Sequence, residues 1–335
     1  MKICVCGGGN LGHVCAGFIA AKGIAEVNVL TRRPQSWQQT LDIVLPEGDT
    51  ISGPLSLVTN DAQAAVHDVD MVLICLPGMG IAEELRNISP YLSSTTAVGT
   101  VVSNTGFFFF AHDILPAFTP LFGLQRVPFI SRIEEYGKKA NLLGRKDQLK
   151  VCVEHTATPQ QLLQVVEQLF QTPTEQVDNF LEVSLSNSNP LLHTARLFDL
   201  WNTWKEGETY ATVPLFYADW TDNASSLYVA MDGELQNLIR QIGLSKDAIV
   251  PVLEYYESAD VPALTRKIRS IPAFAGILSP MKAVEGGYIP DRTSRYFIED
   301  FEFGLKFARQ TAKEHNVSTP TMDKVFDWYE KKMKL

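Results

Sequence analysis

The feature that most constrains this chain is a cluster of glycines that ends its first apolar segment. Residues 2–6 form a short apolar run, and the sequence Gly-Gly-Gly-Asn-Leu-Gly follows at positions 7–12. A helix is predicted from residue 11 to about residue 22, where Gly23 ends it. Residues 26–31 then predict a second strand, so that strand, helix and strand fit within about thirty residues, the span of one βαβ unit. The start of the chain is therefore expected to begin a parallel sheet.

The rest of the chain shows two patterns of apolar residues, one in each half. Apolar runs at residues 71–76, 97–102 and 149–153 predict strands, and runs that are apolar throughout suit a parallel sheet covered on both faces. Apolar residues at a spacing near 3.6 predict helices over residues 180–200, 227–242, 246–257 and 301–316. Residues 171–178 are polar, contain a proline and are expected to be a linker. The sequence thus predicts two domains: an α/β Rossmann domain over residues 1–180 and an all-α domain over residues 181–335.

The glycine cluster has the pattern GxGxxG, with Gly7, Gly9 and Gly12 at the three fixed positions. In the dinucleotide-binding turn the first glycine permits the tight turn, the second lets a diphosphate approach the backbone, and the third lets helix and strand pack closely. The backbone N–H groups at the start of the helix, at Asn10 and Leu11, are then expected to face the phosphates. A plain glycine loop without a ligand is the alternative. The position of the pattern, between a strand and a helix, favours the cofactor.

The end of the second strand predicts which dinucleotide binds. An acidic residue there would bond the adenosine ribose hydroxyls of NAD, but this chain has Thr31, Arg32 and Arg33. Guanidinium groups suit a 2′-phosphate, so NADP(H) is preferred, with NAD as the alternative if the arginines are solvated or stack on adenine. Pro77 and Asn104 follow the next strands and are expected beside the same cofactor.

Composition excludes several classes of protein. The net charge is −9, from 29 basic and 38 acidic residues without a basic run, so a nucleic-acid partner is not expected. No apolar stretch reaches the length of a membrane helix, and a soluble protein without a membrane partner is predicted. The five cysteines form an odd count without a CxxC pair. They predict reduced thiols in the cytoplasm and no metal site.

His193 is the leading catalytic candidate among six histidines. It ends the sequence Asn-Pro-Leu-Leu-His at the junction into the helical domain, where a two-domain dehydrogenase is expected to close its cleft. A second cluster supplies Arg295, which can bind a carboxylate with both arms of its guanidinium, and Asp300, which can hold an imidazole N–H. A packing histidine is the alternative. His112 stays a weaker candidate, beside a loop expected to flank the nicotinamide.

Three motifs together resemble the octopine/nopaline (opine) dehydrogenase family: the glycine turn, Asn-Pro-Leu-Leu-His at 189–193, and Arg-Tyr-Phe-Ile-Glu-Asp-Phe at 295–301. The last two are much more specific than the first, and the resemblance covers nearly the whole chain. It implies a Rossmann domain followed by a helical domain related to that of 6-phosphogluconate dehydrogenase. It also implies an oxidoreductase that condenses an amino acid with a 2-keto acid, usually pyruvate, using NAD(P)H.

The resemblance further implies roles for single residues. His193 and Asp300 would be the catalytic dyad, and Arg295 would bind a substrate carboxylate or support the dyad. One histidine can accept the proton of the amine and later protonate the hydroxyl that leaves as water. The oligomeric state stays open, with a homodimer as the candidate because dimers are common among homologous two-domain dehydrogenases.

Two other functions stay open at this point. A ketopantoate-reductase-like or 2-hydroxyacid reductase would act directly on a ketone. If this chain resembled ketopantoate reductase, we would expect a catalytic lysine in the first long helix of the second domain. That stretch carries His193 and no lysine before Lys205. A non-catalytic NADP-binding sensor would be expected to have lost the dyad, whereas His193, Asp300 and Arg295 are all present.

Overall fold

The computed structural model describes residues 1–334, which form two compact units, Met1–Ser184 and the chain from Leu185 onward. The boundary predicted after residue 180 falls at the first residue of a short helix that ends at Leu185. Among the described residues no helix combines the length and the apolar character needed to cross a bilayer.

The first unit is built on an eight-stranded sheet. Its strands and those of a smaller sheet are β1 (Lys2–Cys6), β2 (Glu26–Leu30), β3 (Thr40–Val44), β4 (Thr50–Pro54), β5 (Leu57–Thr59), β6 (Met71–Ile74), β7 (Ala97–Thr100), β8 (Leu121–Leu124), β9 (Phe129–Glu135), β10 (Lys139–Arg145), β11 (Leu149–Glu154) and β12 (Thr174–Val177). The large sheet has the order β12-β11-β8-β7-β6-β1-β2-β5. Its neighbouring strands are parallel except for the antiparallel pair β8 and β11.

Both faces of this sheet are buried, as the uninterrupted apolar runs predict. The helices of the unit are α1 (Asn10–Ala21), α2 (Ala62–Val66), α3 (Gly78–Ile88), α4 (Phe107–Ile114), α5 (Pro159–Phe170) and α6 (Phe180–Leu185). Along β1, Ile3 and Val5 belong to one buried cluster, while Cys4 and Cys6 belong to the other. Alternate residues of a strand point to opposite faces, so one cluster lies on each side of the sheet. The predicted α/β class is confirmed.

A second, four-stranded sheet of order β4-β3-β10-β9 packs on α1. A Cβ atom added at Gly17 of α1 would lie 2.6 Å from Ile43 Cδ1 of this sheet. His13 of α1 is fully buried; its Nδ1 lies 3.0 Å from the carbonyl of Gly9, and the N–H of Gly137 donates to its Nε2 at 2.8 Å. Because one ring nitrogen must accept, the imidazole is neutral with its proton on Nδ1.

The second unit is mainly helical. Its helices are α7 (Asn189–Trp201), α8 (Asp222–Gln241), α9 (Val252–Tyr255), α10 (Val261–Ser270), α11 (Arg295–Asp300), α12 (Lys306–Glu314) and α13 (Pro320–Trp328). The segment Phe301–Leu305 continues α11 into α12 as a wider π turn. One hairpin, of β13 (Met281–Val284) and β14 (Gly287–Pro290), departs from the all-helical prediction.

Three local predictions are wrong. Residues 246–257 contain only the short helix α9, because Pro251 cannot donate within a helix and instead precedes one. The predicted linker at residues 171–178 contains β12, which pairs with β11 at the edge of the sheet; a strand at an edge can be polar. The single helix predicted over residues 180–200 is divided into α6 and α7, and Pro190 occupies the first turn of α7.

The buried His13 predicts a loss of stability in acid. Burial lowers the pKa of His13 from 6.5 to about 4, against the opposing effect of the Gly9 carbonyl. A histidine that is held neutral stabilises the fold fully above its unfolded pKa, and this contribution is lost as the pH falls from 6.5 to 4. The complete loss is about 3 kcal/mol. We expect the melting temperature of His13→Gln, measured by circular dichroism, to fall less steeply over this pH range than that of the wild type. Parallel curves for the two proteins would contradict the assignment.

Candidate functional site

The three glycines of the turn have the three environments that a dinucleotide-binding turn needs. Gly7 has φ +124°, and a Cβ atom there would lie 2.5 Å from the carbonyl oxygen of Cys75. A Cβ atom at Gly12 would lie 1.9 Å from the carbonyl oxygen of Gly7, so only glycine permits this contact of helix and strand. A Cβ atom at Gly9 would meet nothing within 4 Å. The turn is thus closed on its inner side and open at Gly9, which fits a diphosphate over the backbone.

The other predicted cofactor residues lie at the same edge of the sheet. Thr31 follows β2, Pro77 follows β6 and Asn104 follows β7, and these strands run parallel to β1 and to one another in the central sheet. The side-chain oxygen of Asn10 accepts a hydrogen bond from the N–H of Ile133 at 2.8 Å, which leaves the Nδ2 amide group and the backbone N–H as donors for a phosphate. Leu11 is partly buried against the core and likewise offers its backbone.

Tyr136, which sequence reasoning missed, covers the side of this turn. It lies in the connection between β9 and β10, and a Cβ atom at Gly8 would lie 2.7 Å from its hydroxyl. Burial acts to raise the pKa of Tyr136, but hydrogen bonds with Thr31, Trp37 and Arg33 outweigh burial and lower it. No sequence signal links a tyrosine so far along the chain to the glycine turn.

The two predicted arginines differ in their contacts. The guanidinium of Arg33 lies over the ring of Tyr136, 4.4 Å from its centroid. Arg32 is exposed. Burial of the Glu84 carboxyl raises its pKa, and the positive charge of Arg32 acts in the opposite direction. Two cations therefore stand after β2, one held by an aromatic ring and one exposed.

In the second unit, His193 and Asp300 form the predicted pair. Nδ1 of His193, on α7, lies 2.8 Å from Oδ2 of Asp300 at the end of α11. Nε2 lies 2.8 Å from the hydroxyl of Tyr217. Since a carboxylate only accepts hydrogen bonds, Nδ1 carries a proton, and in the neutral tautomer Nε2 therefore holds the lone pair. Burial, together with the neighbouring Tyr296, raises the pKa of Tyr217, so its hydroxyl stays protonated and donates to Nε2.

Aromatic rings enclose the imidazole. The ring of Tyr296 lies 4.6 Å from that of His193 and the ring of Phe216 lies 5.7 Å from it, measured between centroids. Tyr217 stacks on Phe274 at 4.0 Å. Tyr296 and Asp300 are four residues apart on α11 and therefore share the face that meets His193. His193 is 8% exposed, which leaves the base largely shielded from water.

A buried arginine fixes the segment that carries Tyr217. Arg196 lies one turn after His193, and its guanidinium donates to the carbonyls of Phe216 at 2.9 Å and Leu215 at 3.3 Å. It also forms an ion pair with Asp199 at 2.9 Å. These bonds occupy the guanidinium, so Arg196 positions Tyr217 and is not available to a substrate.

Arg295 has a different environment. Its side chain is exposed at the first residue of α11, and within residues 1–334 no hydrogen bond or ion pair joins it to His193 or Asp300. Nearby Arg292, by contrast, forms a long ion pair with Glu206 at 3.5 Å. The geometry thus gives no contact for the dyad-supporting role of Arg295 among the described residues.

The dyad depends on a close approach of two helical segments. Gly304, in the π turn after Asp300, faces the start of α7, and a Cβ atom there would lie 2.4 Å from Cγ of Pro190. His193 follows Pro190 by three residues on α7. The missing side chain at position 304 therefore lets the Asp300 segment lie against the His193 helix.

Comparisons with known proteins agree with both units. Residues 176–333 match the family model described as NAD/NADP octopine/nopaline dehydrogenase, alpha-helical domain. Residues 3–104 match the model described as ketopantoate reductase PanE/ApbA. Octopine dehydrogenase from Pecten maximus is 28% identical over 366 aligned positions that cover 99% of this chain and 90% of that protein. Tauropine dehydrogenase from Arabella iricolor is 26% identical, over 98% of this chain and 90% of that protein.

A solved structure gives the same result. The structure of octopine dehydrogenase with NADH and L-arginine has a TM-score of 0.87 to this chain, at 27% identity, over 99% of this chain and 89% of that one. A ketopantoate reductase structure from Ralstonia eutropha has a TM-score of 0.63 at 14% identity, which is a likeness of fold alone.

Gly304→Ala tests the close approach of the two helical segments. The added methyl group must displace Pro190 or the π turn, and overpacking of this kind costs about 1–3 kcal/mol. We expect a lower melting temperature and a lower kcat, because Asp300 moves relative to His193. Gly233→Ala is the matched control: it lies within α8, and its Cβ would meet nothing within 4 Å. There we expect unchanged kcat and a gain of about 0.5–1 kcal/mol. Equal kcat values in both variants would contradict the positioning role of Gly304.

Proposed function

We propose that this chain, an oxidoreductase whose resemblance to the octopine/nopaline dehydrogenase family is confirmed, condenses an amino acid with a 2-keto acid such as pyruvate at His193. The observation that carries the proposal is the geometry of that side chain. Its Nδ1 lies 2.8 Å from a carboxylate and its Nε2 accepts from a tyrosine, within an aromatic enclosure. This arrangement supplies one oriented base in a largely water-free setting.

The proton transfers follow from this geometry. Neutral His193 accepts at Nε2 a proton from the amino acid's ammonium group, and the freed amine attacks the keto carbon to give a carbinolamine. The imidazolium then protonates the carbinolamine hydroxyl, which leaves as water, and an iminium forms while His193 returns to its neutral state. Asp300 stabilises the imidazolium between these steps and holds the ring in one orientation. Because the hydroxyl of Tyr217 is hydrogen-bonded to the lone pair of Nε2, the substrate's ammonium group takes the place of this hydroxyl at Nε2 when it binds.

Arg295 is proposed to bind a substrate carboxylate. What supports this role is its exposed guanidinium beside the His193 face of α11, which forms no ion pair with a carboxylate of residues 1–334. Arg196, by contrast, is fully used inside the fold. A guanidinium binds a carboxylate with two parallel hydrogen bonds and so fixes the orientation of the keto acid.

The cofactor is proposed to be NADP(H), with NAD(H) as the second candidate. Bound at Gly7, Gly9 and Gly12, the reduced nicotinamide nucleotide would supply a hydride to the iminium carbon. The support for a 2′-phosphate is the pair of cations, Arg32 and Arg33, where NAD-binding chains carry an acidic residue. The related solved structures include octopine dehydrogenase with NADH and yersinopine dehydrogenase with NADP⁺.

The alternative of direct ketone reduction has less support. Helix α7 contains His193 but no lysine, and the likeness to ketopantoate reductase is confined to the first 104 residues in sequence and to the fold in structure. A non-catalytic sensor is disfavoured by the assembled dyad. Each alternative is an outcome of the assay below.

Two further properties are proposed. The cytoplasm is proposed as the compartment because all five cysteines are free and buried, as reduced thiols require. A homodimer is proposed by analogy with related two-domain dehydrogenases.

The function is tested by following NADPH and NADH oxidation at 340 nm with pyruvate and single amino acids. We expect oxidation that requires both an amino acid and the keto acid. His193→Ala should lower kcat by about 10²–10⁴-fold, since a positioned acid–base group contributes this much, while cofactor binding measured by fluorescence is unchanged.

Three outcomes separate the hypotheses. Oxidation with a keto acid alone would make the protein a direct reductase. Cofactor binding without turnover for any pair would favour the sensor. Unchanged turnover in His193→Ala would remove this histidine from the mechanism.

The choice of cofactor is tested by the double variant Arg32→Ala with Arg33→Ala. Loss of charge-assisted bonds to the 2′-phosphate costs about 1.5–3 kcal/mol, so we expect NADPH affinity to fall about 10–100-fold. NADH affinity should change little. Arg86→Ala removes an exposed arginine of α3 and is the control for net charge. Equal losses for both nucleotides in the double variant would contradict recognition of a 2′-phosphate.

A further inference from the structure

Three metal-binding side chains meet on the first unit, apart from His193, Asp300 and the glycine turn. They are His112 in the last turn of α4, Glu154 at the end of β11, and His155, the next residue. One ligand atom from each lies within 4.8 Å of the others. Nε2 of His112 is 2.8 Å from Oε2 of Glu154. Two imidazoles and a carboxylate form a donor set typical of zinc and of other late divalent metals.

This cluster lies where the parallel strands of the sheet begin, whereas the glycine turn lies where they end. Strand β11 runs antiparallel to β8, and Glu154 pairs with Leu121, the first residue of β8. Strand β8 is parallel to β7, which is parallel through β6 to β1. The end of β11 therefore lies where the parallel strands begin, whereas Gly7 lies where they end. The placement of His112 beside the nicotinamide, expected from sequence, is wrong, because α4 runs back along the sheet before it reaches residue 112.

One hydrogen bond at the cluster already orients the imidazole of His155 for a metal. Nδ1 of His155 lies 3.3 Å from the carbonyl oxygen of Thr119, and a carbonyl only accepts, so Nδ1 carries the proton. Nε2 of His155 is then the atom with a free lone pair. A histidine that binds a metal usually donates its other N–H to a carbonyl or a carboxylate in this way. His155 keeps this orientation with φ +56°, a backbone conformation that is uncommon for a residue other than glycine.

The neighbouring thiol does not complete the site. Cys152 is two residues before Glu154 and is buried. Its sulfur does not belong to the group of ligand atoms that lie within 4.8 Å of one another, which among the described residues consists of His112, Glu154 and His155. The ligand set is therefore limited to nitrogen and oxygen.

We propose that this cluster is a Zn²⁺ site, bound by Nε2 of His112, Nε2 of His155 and the carboxylate of Glu154. The side chains of His112 and Glu154 are 31% and 22% exposed, so a fourth position is open to water. The ion replaces the hydrogen bond between His112 and Glu154, and the ring proton of His112 then resides on Nδ1. The ion connects the end of α4 to the end of β11. Its role is to stabilise this edge of the first unit. The proposal is independent of the catalytic one and departs from the sequence-based expectation of no metal.

The test is a titration of the full-length, chelator-treated protein with ZnCl₂ by isothermal calorimetry. We expect one equivalent to bind and the melting temperature to rise with Zn²⁺ concentration, because an ion that binds only the folded state stabilises it. His112→Ala and His155→Ala should each abolish this binding, and Glu154→Gln should weaken it. His67→Ala is the matched control: His67 is exposed and lies 3.1 Å from the carboxylate of Asp68, but no second imidazole joins it in a ligand group among the described residues.

Three results would overturn the proposal, one for the wild type and two for the variants. The first is the absence of stoichiometric binding by the wild type. The others are binding that survives in His112→Ala and His155→Ala, and binding that is lost equally in His67→Ala. If a variant fails to fold, judged by its melting temperature without metal, Co²⁺ substitution of the wild type decides instead. Visible absorption bands of a four- or five-coordinate ion without a thiolate charge-transfer band support the site, and a spectrum of aqueous Co²⁺ contradicts it.

Discussion

The second unit depends on the hydrogen bond between His193 and Asp300, two residues that are 107 positions apart in the chain. A carboxylate that is largely withdrawn from water needs a partner, and the imidazole N–H is the one this structure gives it. The same bond sets the tautomer of His193, and the tautomer decides that Nε2 is the basic atom. Gly304 and Arg196 serve this pair by bringing the helices together and by holding the segment with Tyr217.

Arginines illustrate how burial assigns different roles to one residue type. Arg196 is buried and saturated by carbonyls and Asp199, Arg33 stacks on a tyrosine, and Arg295 is exposed. A guanidinium that already has its partners inside the fold contributes positioning, while an exposed one can bind a substrate or a phosphate. The proposed contacts to keto acid and cofactor therefore rest on the exposed and stacked arginines.

The directions of the strands place the two candidate sites of the first unit at opposite ends of the sheet's strands. Parallel strands gather their carboxyl ends at one edge, where glycines, Thr31, Pro77 and Asn104 meet. The antiparallel strand β11 carries Glu154 and His155 to the other edge, where α4 returns with His112. The reversed direction of β11 thus brings together a second cluster of metal-binding side chains. The order of the motifs along the sequence does not predict this cluster.

The sequence by itself determined what local patterns encode: the glycine turn, the parallel strands with two buried faces, the helical second half, and the pairing of His193 with Asp300 through two specific motifs. It misplaced the helix at residues 246–257, where Pro251 limits the helix to one turn. It also misplaced the linker at 171–178 and His112, because a polar edge strand and a strand reversal leave no periodic signal. Only the tertiary structure decided the partners of each side chain: Tyr217 on Nε2, Tyr136 over the turn, Gly304 against Pro190. These contacts join residues far apart in the chain, and their geometry is set by packing between elements, which periodicity within one element does not specify.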